Sequence, residues 1–251
     1  GKYKLKPAHS CKDRVEMEGE MSKIKLSNEK IIITGNGRSG NGILEIIQKA
    51  NIREVSKSEF LNKTFDEAVF VHLNTMDYNV RIDGSKSNKS EFYKQPELYC
   101  SSFMDYTNQV DIFIAGHYYS SGSPYLFTRE DANGSEFNIQ VVADISCDID
   151  GPVATTIRSS SIIDPIYGYN VITEKEDDYR NKNVVAVMAV DNLPCELPKD
   201  ASVDFGNEMI EKILPSLIVS DDMQIIEKAT ICKNGDLTKA FEYLRGYVTG
   251  D

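Results

Sequence analysis

Along the chain, short continuous apolar runs alternate with polar stretches and with segments whose apolar residues recur at helical spacing. Ile31–Ile33 form an uninterrupted β-branched run, the pattern of a strand buried on both faces. From Asn41 to Ala50, the residues Ile43, Leu44, Ile46 and Ile47 fall on one helical face, so a helix is predicted there. "REVS" at 53–56 gives a weak second strand. "AVFVHL" (68–73), "VDIFIAG" (110–116), "IQVVADIS" (139–146) and "VVAVMAV" (184–190) predict stronger ones. Pro198 and Asp200 are start signals for a following helix, and "LTKAFEYLRGYV" predicts a closing one. Residues 1–28 read as a polar, lysine-rich lead-in, and 75–108, with "DGSKSNKSEF", as an exposed insertion too polar for a core. Strands alternating with helices across short loops predict an α/β fold. The expectation is a Rossmann-like, doubly wound parallel sheet with flanking helices and a C-terminal helical return segment.

Composition narrows the function. At 251 residues with 41% hydrophobic residues the chain has ample material for a core. The formal charge of −11, with no clustered basic face, argues against nucleic acid as a partner. The longest apolar run, 184–190, is far short of the roughly 20 residues a membrane helix needs, so no membrane partner is expected. The five cysteines (Cys11, Cys100, Cys147, Cys195, Cys232) are scattered and odd in number, as free thiols of a reducing compartment would be. A cytoplasmic location follows as the expectation. The three histidines (His9, His72, His117) show no metal-ligand spacing, and no metal is expected. The opening "GKYKLKPAHS" lacks a methionine, as expected of a fragment.

The candidate chemistry lies in "TGNGRSGNG" (34–42), where Gly35-x-Gly37-x-x-Gly40 follows a buried-type strand and precedes a helix. In a dinucleotide cradle the first glycine permits a tight turn and the second admits the pyrophosphate. The third lets helix and strand pack closely. Free N–H groups at the helix N-terminus then face the phosphates. Glu59, about 20 residues on, is the candidate acid for the ribose hydroxyls, a choice that favours NAD over NADP. The bland alternatives are an ordinary strand-to-helix turn and a solvated loop acid. Methyltransferases use a similar loop for S-adenosylmethionine, usually with an acid before the first glycine, where this chain has Thr34.

Three later stretches, "VDIFIAGHYYSSGSP" (110–124), "VVADISCDIDGP" (141–152) and "VMAVDNLPCELPKDAS" (187–202), add to the glycine loop. Together the four resemble the family of lysine-forming saccharopine dehydrogenases, lysine–oxoglutarate reductases and alanine dehydrogenases, over roughly residues 30 to 247. The resemblance implies an NAD-binding domain at 29–195 and a C-terminal helical segment at 196–251. It implies cofactor contacts by Gly35, Gly37, Arg38, Ser39 and Gly40, by Glu59 and Tyr118, and by Ile145. Asp191, Asn192, Leu193 and Pro194 would line the nicotinamide end. Asp144 and Asp191 could instead cap turns after their strands. His117, after a strand, could relay protons or be structural.

The resemblance also implies a reaction: reversible, NAD-linked oxidation at an amino-acid C–N bond, with an amino acid or a 2-oxo acid as substrate. In that family the acid–base residues and the substrate-gripping arginine come from an N-terminal half. Residues 1–28 resemble only the connector that follows it, so His9, Lys4 and Lys6 are not candidates for catalysis. The expectation is an NAD-binding portion that turns over poorly or not at all alone. The alternative is a stand-alone NAD-sensing or interaction module. Oligomeric assembly is left open.

Overall fold

The structure, a computed structural model, describes residues 4–120 and 122–250. Residues 1–3 of the lead-in, Ser121 and Asp251 lie outside the described residues. The chain divides into two compact units, one through Leu197 and the other from Pro198.

The first unit is built on an eight-stranded, mostly parallel sheet. Its strands are β1 (Lys30–Thr34), β2 (Arg53–Glu54), β3 (Val69–Leu73), β6 (Ile112–Ala115), β7 (Val141–Asp144), β8 (Ile166–Asn170), β9 (Lys175–Asp177) and β10 (Val184–Met188). A separate antiparallel pair, β4 (Asn79–Arg81) and β5 (Tyr99–Ser101), stands beside them. The order across the sheet is β2-β3-β1-β6-β7-β10-β8-β9. This is a Rossmann-like α/β architecture, as the alternation of runs predicted.

The apolar run of β1 works on both faces. Ile32 joins Val71, Phe113, Val142 and Val187 in the larger core, while Ile31 and Ile33 meet Phe70, Ile43 and Ile47 on the opposite side. That period of two is what a central strand requires, since successive side chains point to opposite faces. Ile43 and Ile47 belong to α2 (Arg38–Lys49), which therefore starts three residues before Asn41 and takes Gly40 and Gly42 into its first turns.

Four sequence expectations need correction. The lead-in is not merely polar coil: Asp13 caps helix α1 (Arg14–Met21), and pairs Arg14–Glu45 and Lys49–Glu18 tie it to α2. The sheet is not wholly parallel: β8 runs antiparallel to β10 and carries β9 on its outer edge. The second strand is two residues long and sits at the edge, paired with β3 rather than β1. Finally, 75–108 is no exposed insertion. Its polar tip is exposed, but Tyr78, Phe92, Tyr99, Phe103 and Tyr106 are buried, and Phe103 packs on Phe113 and Phe127 at 4.8 and 6.1 Å. A polar average conceals aromatics spaced along a segment, and those are the residues that bury the most surface.

The second unit is a helical run, Pro198–Glu208 continuing through a π-turn to Ile218, followed by a short helix at Ile225–Ala229. A hairpin, Cys232–Lys233 with Asp236–Leu237, turns on Asn234 and Gly235, both at positive φ. The predicted closing helix is a 3-10 segment, Lys239–Leu244, running into Arg245–Thr249.

Candidate functional site

The chain leaves β1 to build β2 and β3 on one side, then returns through 75–108 to β6 on the other. The carboxyl ends of β1 and β6 therefore flank a reversal in strand order, where open α/β sheets form a ligand crevice. Gly35 follows β1 and Gly116 follows β6. A cavity of about 650 Å³ opens there, lined by Gly35–Ser39, Gly116–Tyr119, Ile145, Ser146 and Asp148, with Thr75, Lys89 and Tyr93 from the 75–108 segment.

The glycines have separable reasons. Gly35 has φ +95°, and a Cβ there would lie 2.3 Å from the Gly116 carbonyl oxygen. A Cβ on Gly40 would lie 1.9 Å from the Gly35 oxygen, so the third glycine is required by packing. Gly37 caps α2 with ordinary extended backbone, and a Cβ on it would meet nothing within 4 Å. No side chain caps α2, whereas Asp13 caps α1 and Ser56 caps α3 (Lys57–Asn62). The first N–H groups of α2, at exposed Arg38 and Ser39, thus have no acceptor among the described residues and carry the positive end of the helix dipole. Arg38 itself is the one arginine of eight without an ion pair among the described residues.

Two histidines hold the loop in place. His72 on β3 bonds the Gly35 carbonyl through Nε2 at 2.5 Å; a carbonyl only accepts, so Nε2 carries the proton. His117 bonds Thr34 Oγ1 through Nδ1 at 2.9 Å, and its buried Nε2 has no partner among the described residues. Burial pushes the His117 pKa down to about 4, against a smaller upward pull from Asp144, so the ring is neutral near pH 7. A neutral imidazole at that pH cannot serve as a proton donor of the imidazolium kind.

Tyr118 lines the cavity and is 79% exposed. Ile145 stands at the end of β7, its N–H donating to the Ala115 carbonyl at 2.9 Å. Asp144 is a fully buried turn cap: Ser146 N–H, Ser146 Oγ and Cys147 N–H donate to Oδ1, and Thr156 Oγ1 to Oδ2. Asp148, which sequence reasoning missed, lines the cavity, its carboxyl pushed up by burial and then by Asp144.

Glu59 lies elsewhere. It is the third residue of α3, in a capping box with Ser56, and it pairs with Lys63. Bonds from Ser56 first and Lys63 next hold its carboxyl at about 2. With β3 interposed between β1 and β2, the strand end beside the glycine loop belongs to Leu73, followed by Asn74 and Thr75. Asp191, Asn192, Leu193 and Pro194 are not in the cavity either. They form the turn after β10 and the start of a 3-10 segment, Leu193–Glu196. There the His9 N–H donates to Glu196 Oε2 at 2.9 Å.

Fold and cavity together define a Rossmann-like α/β protein with a glycine-rich loop beside a cavity at the strand-order reversal. No family model matches the chain. It is 24% identical to the mitochondrial alpha-aminoadipic semialdehyde synthase of Mus musculus over 249 residues, covering 85% of this chain and 26% of that protein. It is 29% identical to the Arabidopsis thaliana alpha-aminoadipic semialdehyde synthase over 171 residues, covering 64% of this chain and 16% of the relative. To a Neurospora crassa protein named saccharopine dehydrogenase [NAD(+), L-lysine-forming] it is 24% identical over 219 residues, 86% of this chain and 45% of the other. The chain is thus homologous to enzymes of the saccharopine dehydrogenase family. It spans 26% of the length of the mouse relative.

Proposed function

We propose that the chain binds NAD at the glycine loop and serves as the dinucleotide-binding part of an amino-acid dehydrogenase of the saccharopine dehydrogenase type. The observation that carries this reading is the Gly35–Gly40 loop at the strand-order reversal, with the uncapped N-terminus of α2 and unpaired Arg38 beside it. The residues fit the group. Gly37 and the uncapped start of α2 leave room and N–H donors for a phosphate, and Arg38 and Lys89, which line the cavity, form no ion pair among the described residues.

When bound, NAD supplies the hydride-accepting chemistry of oxidation at a C–N bond. This chain's residues bind and orient: N–H groups of Arg38 and Ser39 take phosphate oxygens, Arg38 neutralises charge, and Tyr118 offers an exposed aromatic face. His117 and His72 fix the loop rather than exchange protons. An amino acid or 2-oxo acid is the proposed substrate of the whole enzyme. The name of the Neurospora relative supports NAD as the first dinucleotide to try. Titration calorimetry with NAD, NADP and S-adenosylmethionine tests the reading: dinucleotide binding is expected, and preference for S-adenosylmethionine would overturn it.

A further inference from the structure

We propose that Lys89, delivered by the 75–108 segment, is a phosphate-binding residue of this cavity; the proposal rests on the dinucleotide reading above. Lys89 Nζ donates to Asn36 Oδ1 at 3.0 Å, and Asn36 lies between the first two glycines of the loop. The ammonium is thereby tied to the residue before Gly37, and both Lys89 and Gly37 line the cavity. Lys89 forms no ion pair among the described residues and lines the same cavity as Arg38.

Asp148 lines the same cavity without an ion pair among the described residues, its carboxyl pushed up by burial, whereas two acids of the 75–108 segment are engaged elsewhere. Glu91 accepts from Arg81 and from the Tyr99 hydroxyl, each at 2.6 Å, and Asp77 pairs with Lys57. The position of Lys89 is also built rather than incidental. Its neighbour Asn88 caps α4 (Lys89–Phe92), accepting from the N–H groups of Ser90 and Glu91. The Tyr99 hydroxyl, while donating to Glu91, accepts from the Asn88 N–H at 3.0 Å and so fixes the start of the turn. Buried Phe92 anchors the other end of the turn. A lysine on so fixed a turn, tied to the ligand loop by a neutral amide, retains its charge for an anion. The anion is a phosphate of the dinucleotide, either the bridging pyrophosphate or a 2′-phosphate on the adenosine ribose.

The test is calorimetry on the full chain, comparing wild type, Lys89→Gln and Lys89→Arg with NAD and NADP at low and high potassium chloride. Lys89→Gln is expected to weaken binding about fivefold at low salt, with the deficit shrinking as salt screens the charge. Lys89→Arg is expected to restore most of it. Equal loss for both dinucleotides assigns the pyrophosphate, and loss for NADP alone assigns the 2′-phosphate; either supports the proposal. Unchanged affinity for both in Lys89→Gln, or a salt-independent loss that arginine does not rescue, overturns it while leaving the dinucleotide reading intact. A wild-type chain that binds neither dinucleotide overturns both.

Discussion

Gly40 lies against Gly35: a Cβ on Gly40 would sit 1.9 Å from the carbonyl oxygen of Gly35 and 2.5 Å from its carbonyl carbon. Both partners are backbone, so neither can swing aside, and the first turn of α2 would have to leave β1. Gly40→Ala is expected to destabilise the chain by about 1–3 kcal/mol, the usual cost of overpacking. A urea midpoint unchanged from wild type would contradict this packing role.

Glu59 and Ser56 act on α3 rather than on the cavity. Ser56 Oγ accepts from the Glu59 N–H, and the Glu59 carboxylate accepts from the Ser56 N–H and hydroxyl. Ser56→Ala is expected to cost about 1 kcal/mol, as loss of a helix N-cap does. Glu59→Gln should leave the ratio of NAD to NADP affinity unchanged, read by competition calorimetry. A ratio that shifts towards NADP would return Glu59 to the ribose.

Phe103 tests the 75–108 segment. It is fully buried against Phe113, Phe127 and Tyr78. Phe103→Ala is expected to lower stability by about 3–5 kcal/mol. An exposed insertion would tolerate the change without a measurable shift in denaturant midpoint.

His117 gives the chain a pH signature. Its folded pKa is lowered to about 4 from 6.5, so between those values the unfolded chain binds a proton that the folded chain does not. Stability is therefore retained above pH 6.5 and falls as pH drops towards 4, by about 2 kcal/mol between pH 7 and pH 5. His117→Gln, which keeps an amide near Thr34, should flatten that part of the profile. Parallel wild-type and variant curves would remove His117 as its source.

Much of this was legible in the residues. A β-branched run, a glycine cluster and a helical stripe specify a strand, turn and helix through local sterics and burial alone, so β1, α2 and the loop between them were readable. The place of Glu59 was not. Counting 20 residues from the glycines presumes that the second strand lies beside the first, and pairing order is a tertiary property. Here β3, with four apolar residues among five, takes the place beside β1, and the two-residue β2 is left at the edge. The walls of the cavity were hidden for a related reason. Thr75, Lys89 and Tyr93 sit in a segment whose mean polarity masked a row of buried aromatics. The Asn-Gly hairpin at 234–235 and the Tyr167/Tyr169 antiparallel strand β8 did carry local signals that a search for parallel strands passes over.

Gly37 offers the most direct measurement. Among the described residues, none beyond its chain neighbours lies within 4 Å of a Cβ placed there, and its φ of −88° suits any residue. Gly37→Ala should fold as wild type does, so any need for glycine at this position comes from the ligand. Calorimetry with NAD is expected to give clear binding to the wild-type chain and at least about tenfold weaker binding to Gly37→Ala, since a methyl group would stand where backbone meets pyrophosphate. Equal affinities in the two proteins would mean that the loop is only a turn between β1 and α2.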